Sequence, residues 1–188
     1  MTAQLTGGFA DPAPQAARAF RAALKALSRP GAIVGVEGAT PPAPLSPAAG
    51  TLLLVLADAG TPVWLAPSHD SPEVRAWITF HTGAPFTAPE AAIFAIGTWA
   101  ALTPVDRFAI GRPDYPDRSA TLIVEMAALA PEGAALRGPG IAGEARLSLP
   151  ETAAFRANRA LFPQGFDCFF TAGSALAGLP RSTIVEAA

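Results

Sequence analysis

Segments with the apolar spacing of a helix and segments with that of a strand interleave along this chain without alternating strictly. That order supports an α/β fold built on a mixed sheet with flanking helices. Proline and glycine set the boundaries. Asp11 followed by Pro12 reads as an N-cap and a first helical residue, and Arg29-Pro30-Gly31 stops that helix near Ser28. Its apolar stripe is read as Phe20, Leu24 and Leu27 with Ala16 and Ala23. A short strand follows at residues 32–36. A second helix is expected from Ser46-Pro47 through Asp58, ended by Gly60, and a strand from Pro62 to Ala66. Asp70-Ser71-Pro72-Glu73 opens a helix to Phe80.

Further strands are expected at Ile93 to Ile96 and Thr121 to Met126, with short helix or loop between them. Leu136 and the run Ala145 to Leu149 suggest two strands around a glycine turn. Pro150 to Leu161 makes a last helix. Phe166 to Phe170 and Thr183 to Val185 are expected to close the sheet. A chain of 188 residues fits a single domain spanning 1–188.

The hydrophobic fraction is 51% and the charged fraction 15%, which leaves apolar surface for a partner chain beyond what a core needs. A net charge of −2 argues against a general nucleic-acid binder. The apolar run Leu52 to Ala57 is far shorter than the ~20 residues of a membrane span. The start of the chain has neither the basic nor the apolar region of a signal peptide, and the lone Cys168 forbids an intrachain disulfide. A cytoplasmic location is expected.

Gly138-Pro139-Gly140-Ile141-Ala142-Gly143 spells a dinucleotide-binding pattern. That chemistry needs a helix to follow, so that its N-terminus faces pyrophosphate. Here Glu144 to Leu149 alternate like a strand, and Pro139 removes a donor, so the segment reads as a turn. No phosphate loop, no histidine pair with metal spacing and no nucleophile elbow is present. His69 is expected to be solvated in a loop. His81 follows a helix end, where it either caps carbonyls or lines a site. Cys168 reads as a buried, inert thiol.

Positive groups carry more information. Arg18, Arg21, Lys25 and Arg29 share one helical face with no acidic residue among them, which is a solvated face or a surface for an acidic partner. Arg137 and Arg181, the latter followed by Ser182, stand beside turn residues. They are read as isolated arginines and candidates for a small anion site.

A set of local phrases now counts together: Phe20-Arg21 with Ser28-Arg29-Pro30-Gly31; Leu56-Ala57-Asp58 leading to Thr61-Pro62-Val63-Trp64-Leu65; and Phe80-His81-Thr82-Gly83-Ala84-Pro85. Ala120-Thr121-Leu122-Ile123, Gly138-Pro139-Gly140-Ile141, Phe162-Pro163-Gln164-Gly165 with Asp167, and Leu179-Pro180-Arg181-Ser182-Thr183 follow. In this order the chain resembles the PhnH family, the H subunit of the bacterial carbon–phosphorus lyase system for phosphonate breakdown. Phe166 stands where the family usually has an aliphatic residue, and Arg181-Ser182-Thr183 replaces Arg-Thr-Thr. Neither change removes a charge.

The resemblance implies a homodimer when isolated, and a complex with G, I and J subunits that takes phosphonate and ATP to a ribose 1-phosphonate 5-triphosphate. It implies no catalytic residues and no metal in this chain. It also implies a fold similar to the large domain of pyridoxal-phosphate-dependent transferases, without the cofactor. A stand-alone phosphonate or nucleotide binding module and a pyridoxal enzyme are the competing readings. The last needs a Schiff-base lysine, and the sole lysine, Lys25, is expected on an exposed helical face.

Overall fold

β4 (Thr121–Glu125) and β7 (Asp167–Ala172) are nearly continuous apolar runs, the pattern of strands covered on both faces. The computed structural model describes residues 6–187. It places these two strands side by side and parallel in the middle of a six-stranded sheet, Leu122 opposite Cys168 and Val124 opposite Phe170. With β1 (Val34–Gly35), β2 (Val63–Leu65), β3 (Phe94–Thr98) and β8 (Ala175–Leu179), the sheet order is β1-β8-β7-β4-β3-β2. β2, β3, β4 and β7 run parallel; β8 is antiparallel to both its neighbours, β7 and β1. The expected mixed sheet with flanking helices is present.

Three proline-marked helices cover one face: α1 (Pro12–Ser28), α2 (Pro47–Leu56) and α3 (Pro72–Thr82). Ser46 accepts from the Ala49 amide and Ser71 from the Val74 amide, while Gly83, at φ 69°, ends α3 in the left-handed region. α1 starts where Asp11-Pro12 places it, but the Asp11 side chain makes no cap bond. Its backbone N–H donates instead to Gln15 Oε1 at 2.7 Å.

The α1 stripe departs from expectation. Ala19, Ala23 and Ala26 face the core, whereas Phe20 and Leu24 are 45% and 52% exposed. The cause is close packing on β8. A Cβ on Gly178 would lie 2.6 Å from the Ala26 backbone, so the helix sits too near the sheet to seat a large side chain between them.

The other face carries α4 (Trp99–Leu102), α5 (Ala153–Ala160) and a small antiparallel sheet ordered β6-β5-β9, formed by β5 (Ala134–Arg137), β6 (Ala145–Leu147) and β9 (Ile184–Glu186). Residues 183–185 were expected to close the main sheet; β9 pairs with β5 instead, Val185 opposite Leu136. β8 had no counterpart in the sequence reading, because Ala-Leu-Ala-Gly-Leu lacks the β-branched and aromatic residues that mark strands. Among the described residues no helix is long and apolar enough to cross a membrane.

Candidate functional site

At the N-terminal end of β7, the Arg181 guanidinium folds back into the protein and is only 13% exposed. Its backbone N–H and Nε donate to Asp167 Oδ1 at 2.8 and 3.1 Å, and Nη2 donates to Asp167 Oδ2. Nη1 donates to the Pro116 carbonyl at 2.6 Å, and Nη2 also to Ser119 Oγ. One side chain thus ties the turn after β8 to the starts of β7 and β4. A planar fork held on a carboxylate in this way is a strong bond that lysine cannot copy. Arg181 is therefore not isolated: its donors are committed to internal acceptors. Beside it, Pro116, Phe162, Pro163 and Ser182 line an open cavity of 390 Å³.

Arg137 is not isolated either. It reaches across the glycine turn to Glu144 at 3.0 Å, and Glu144 also accepts from Arg146 at 3.1 Å. The Arg137 side chain is 53% exposed, and Glu144 raises its pKa first, the Glu186 charge adding to this. The segment 138–143 is the turn between β5 and β6. Gly140, at φ 82°, is required there, since a Cβ would stand 2.0 Å from the Ser28 carbonyl oxygen. Gly138 packs against the Ser182 carbonyl, so Arg137 and Ser182 share one end of the small sheet.

His81 lies on the opposite face of the main sheet, in the last turn of α3. Gly83 and the Thr82 hydroxyl, which donates to the Ile78 carbonyl at 2.8 Å, finish that helix. His81 instead packs against Trp77 and Phe80, with ring centroids 4.8 and 5.0 Å away, and Gly8, Phe9, Pro12, Ala16 and Leu54 complete a cavity of 500 Å³ around it. The four candidates thus separate into Arg137, Arg181 and Ser182 on one side and His81 on the other. Arg18, Arg21, Lys25 and Arg29 are all exposed.

Three polar groups, one buried and two partly buried, went unrecognised in the sequence reading. Glu125 ends β4, where its carboxylate accepts the Ser46 N–H at 2.7 Å and the Thr171 hydroxyl at 2.9 Å. Desolvation raises its pKa above the ordinary value, opposed by those two donors. An acidic residue closing the apolar run Thr-Leu-Ile-Val was the available signal. His69, expected to be solvated, is 3% exposed. Its Nδ1 lies 2.9 Å from Ser68 Oγ, which also accepts the Thr98 amide, and burial lowers its pKa against the opposing Pro44 carbonyl. Asp167 was noticed only as a neighbour of Cys168. That thiol is buried, and desolvation followed by the Asp167 charge pushes its pKa well up, away from thiolate chemistry. Among the described residues no group of three or more His, Cys, Asp or Glu side chains gathers where it could hold a metal ion.

The family model for PhnH, described as bacterial phosphonate metabolism protein, matches residues 7–186. A relative from Rhizobium meliloti (strain 1021), the alpha-D-ribose 1-methylphosphonate 5-triphosphate synthase subunit PhnH, is 44% identical over 202 aligned positions, covering 99% of each chain. The match runs through the hairpin that carries Arg181, the turn built on Gly140 and the helices that enclose His81, and this chain belongs to the PhnH family of bacterial phosphonate metabolism proteins.

Proposed function

We propose that this chain is an essential, non-catalytic subunit of a cytoplasmic carbon–phosphorus lyase core complex. In this reading its 188 residues act as one domain. It joins G, I and J subunits and is needed for converting phosphonate and ATP to ribose 1-phosphonate 5-triphosphate. The isolated chain forms a homodimer. The observation that carries the reading is the near end-to-end likeness to a relative that is itself a synthase subunit. Side-chain chemistry supports it: the sole lysine is exposed on α1, the sole thiol is buried with a raised pKa, and the Arg181 guanidinium is held by Asp167. None of these offers a nucleophile or an electron sink.

The test is growth on a phosphonate as the sole phosphorus source in a strain lacking this chain. Expression of the chain should restore growth, and Lys25→Arg, which keeps the charge but removes the Schiff-base amine, should restore it equally, with no Schiff-base absorption band when pyridoxal phosphate is added to the pure protein. A band lost on Lys25→Arg, together with lost growth, would make the chain a pyridoxal enzyme. The stand-alone anion-binding reading falls back on Arg137 with Ser182: Arg137 is paired with Glu144 but 53% exposed, whereas the Arg181 donors are enclosed with internal partners.

A further inference from the structure

The two outer strands of the main sheet are finished differently. Along β2 the chain covers its own edge: the Val63 N–H donates to the Pro85 carbonyl at 2.8 Å, and the Thr87 N–H donates to the Val63 carbonyl at 3.0 Å. Along β1 no such cover appears among the described residues. The Val36 N–H donates inward, to the Ser174 carbonyl at 2.9 Å. The alternation of an antiparallel ladder then turns the Gly35 amide and carbonyl away from β8. Gly35 is exposed, and a Cβ built on it meets nothing within 4 Å. An open strand edge is a template for pairing with another chain.

That edge borders a cleft of 270 Å³ between β1 and α1, lined by Arg18, Ala19, Ala22, Gly35, Val36 and Glu37. Arg21 and Lys25 lie on the same side of α1 as Arg18, by their helical spacing, and Arg29 follows as its C-cap. All four are exposed, α1 contains no acidic residue, and none of the four enters an ion pair among the described residues. They are four of 13 basic residues in a chain with 15 acidic ones, so acidic residues outnumber basic ones in the rest of the chain. Positive charge is thus concentrated beside the open edge.

We propose that the β1 edge and the basic side of α1 form a docking site for an extended, acidic segment of a different protein subunit, added to the sheet as a further strand. The inference rests on the reading that this chain works within an assembly. Backbone bonds to Gly35 anchor the segment, and its carboxylates meet Arg18, Arg21, Lys25 and Arg29. Glu37, at the end of the cleft, disfavours a carboxylate opposite it and so helps set the register. A second copy is the wrong occupant: two-fold pairing of β1 with β1 would press two basic helix sides together. A nucleic acid has no amide edge to match Gly35, and the chain as a whole carries a net charge of −2.

The experiment uses the full chain and the other subunits of its synthase. Gly35→Pro removes the outward N–H without touching a ladder bond, Arg21→Glu with Lys25→Glu reverses the charge, and Gly35→Ala is the control. With melting curves unchanged, the proline and the double reversal should each weaken binding to the other subunits by about tenfold or more. Added salt should weaken the wild type more than the charge-reversed form. A benzophenone side chain at position 35 should cross-link to an acidic segment of another subunit. If Gly35→Pro fails to fold, the charge reversal and the cross-link decide. Undiminished binding by the folded variants, or a cross-link to a second copy or to nucleic acid, would overturn the docking site while leaving the assembly reading intact. A wild-type chain that binds none of the subunits would overturn both.

Discussion

Arg181 and Arg137 look alike in the sequence, each a lone arginine beside a turn, and the structure gives their ion pairs unequal weight. Arg181→Ala leaves Asp167 at a largely enclosed site without its cation, a loss of about 3 kcal/mol in chemical denaturation. Arg181→Lys should recover little of it, because an ammonium cannot serve Asp167, Pro116 and Ser119 at once. Arg137→Ala breaks a pair on the exposed rim and should shift stability by less than about 1 kcal/mol. Equal losses in the two variants would contradict this assignment. The difference was illegible from sequence because the Asp167 partner comes near only through the β7–β8 pairing, and β8 carries no strand signal.

Glu125 supplies a pH signature at the same scale. Its folded pKa lies above the ordinary glutamate value, so the native state binds the extra proton. Stability from this group is fullest at low pH and falls as pH rises from the unfolded value through the folded one. His69 works in the other direction: its pKa is lowered, so stability is full above the ordinary histidine value and falls as pH drops below it. Glu125→Gln keeps an acceptor for the Ser46 N–H, and it should flatten the mildly acidic limb of a stability-against-pH curve. An unchanged limb would rule out Glu125 as its source.

At the scale of elements, boundaries were legible and facing was not. Asp11-Pro12, Ser46-Pro47 and Ser71-Pro72 mark the starts of α1, α2 and α3, because proline suits a first turn that lacks acceptors for its N–H groups. The inward side of α1 was read correctly at Ala23 and Leu27 and wrongly at Phe20 and Leu24, because residue size was taken as the guide, whereas the close Gly178–Ala26 approach leaves no room for a large side chain there. The glycine pattern at 138–143 was correctly read as a turn, and its requirement is steric. Gly140→Ala adds a Cβ against the Ser28 carbonyl in a left-handed conformation, and the backbone term alone costs about 1–2 kcal/mol. Gly143→Ala has the same sign of φ but open space around it, so thermal melting should rank Gly140→Ala as the more damaging change. The reverse order would show that the turn does not press on α1.

For the whole molecule, the order of short phrases carried more than any single motif. The phrases at Ser28 to Gly31 and at Gly138 to Ile141 meet in space, since Gly140 sits on the Ser28 carbonyl and Pro30. Asp167 and the Leu179 to Thr183 phrase meet through Arg181. The phrases that pointed to the PhnH family thus include residues that meet at tertiary junctions of the fold. The docking surface proposed around Gly35 was legible only in part: the basic spacing of α1 showed in the sequence, whereas the open strand edge beside it did not. The most direct measurement of the subunit role is phosphorus NMR of ATP and methylphosphonate incubated with the remaining synthase subunits, with and without this chain. Product should appear only when the chain is added, and the chain alone should form none. Product from the chain alone, or an equal yield without it, would contradict the account.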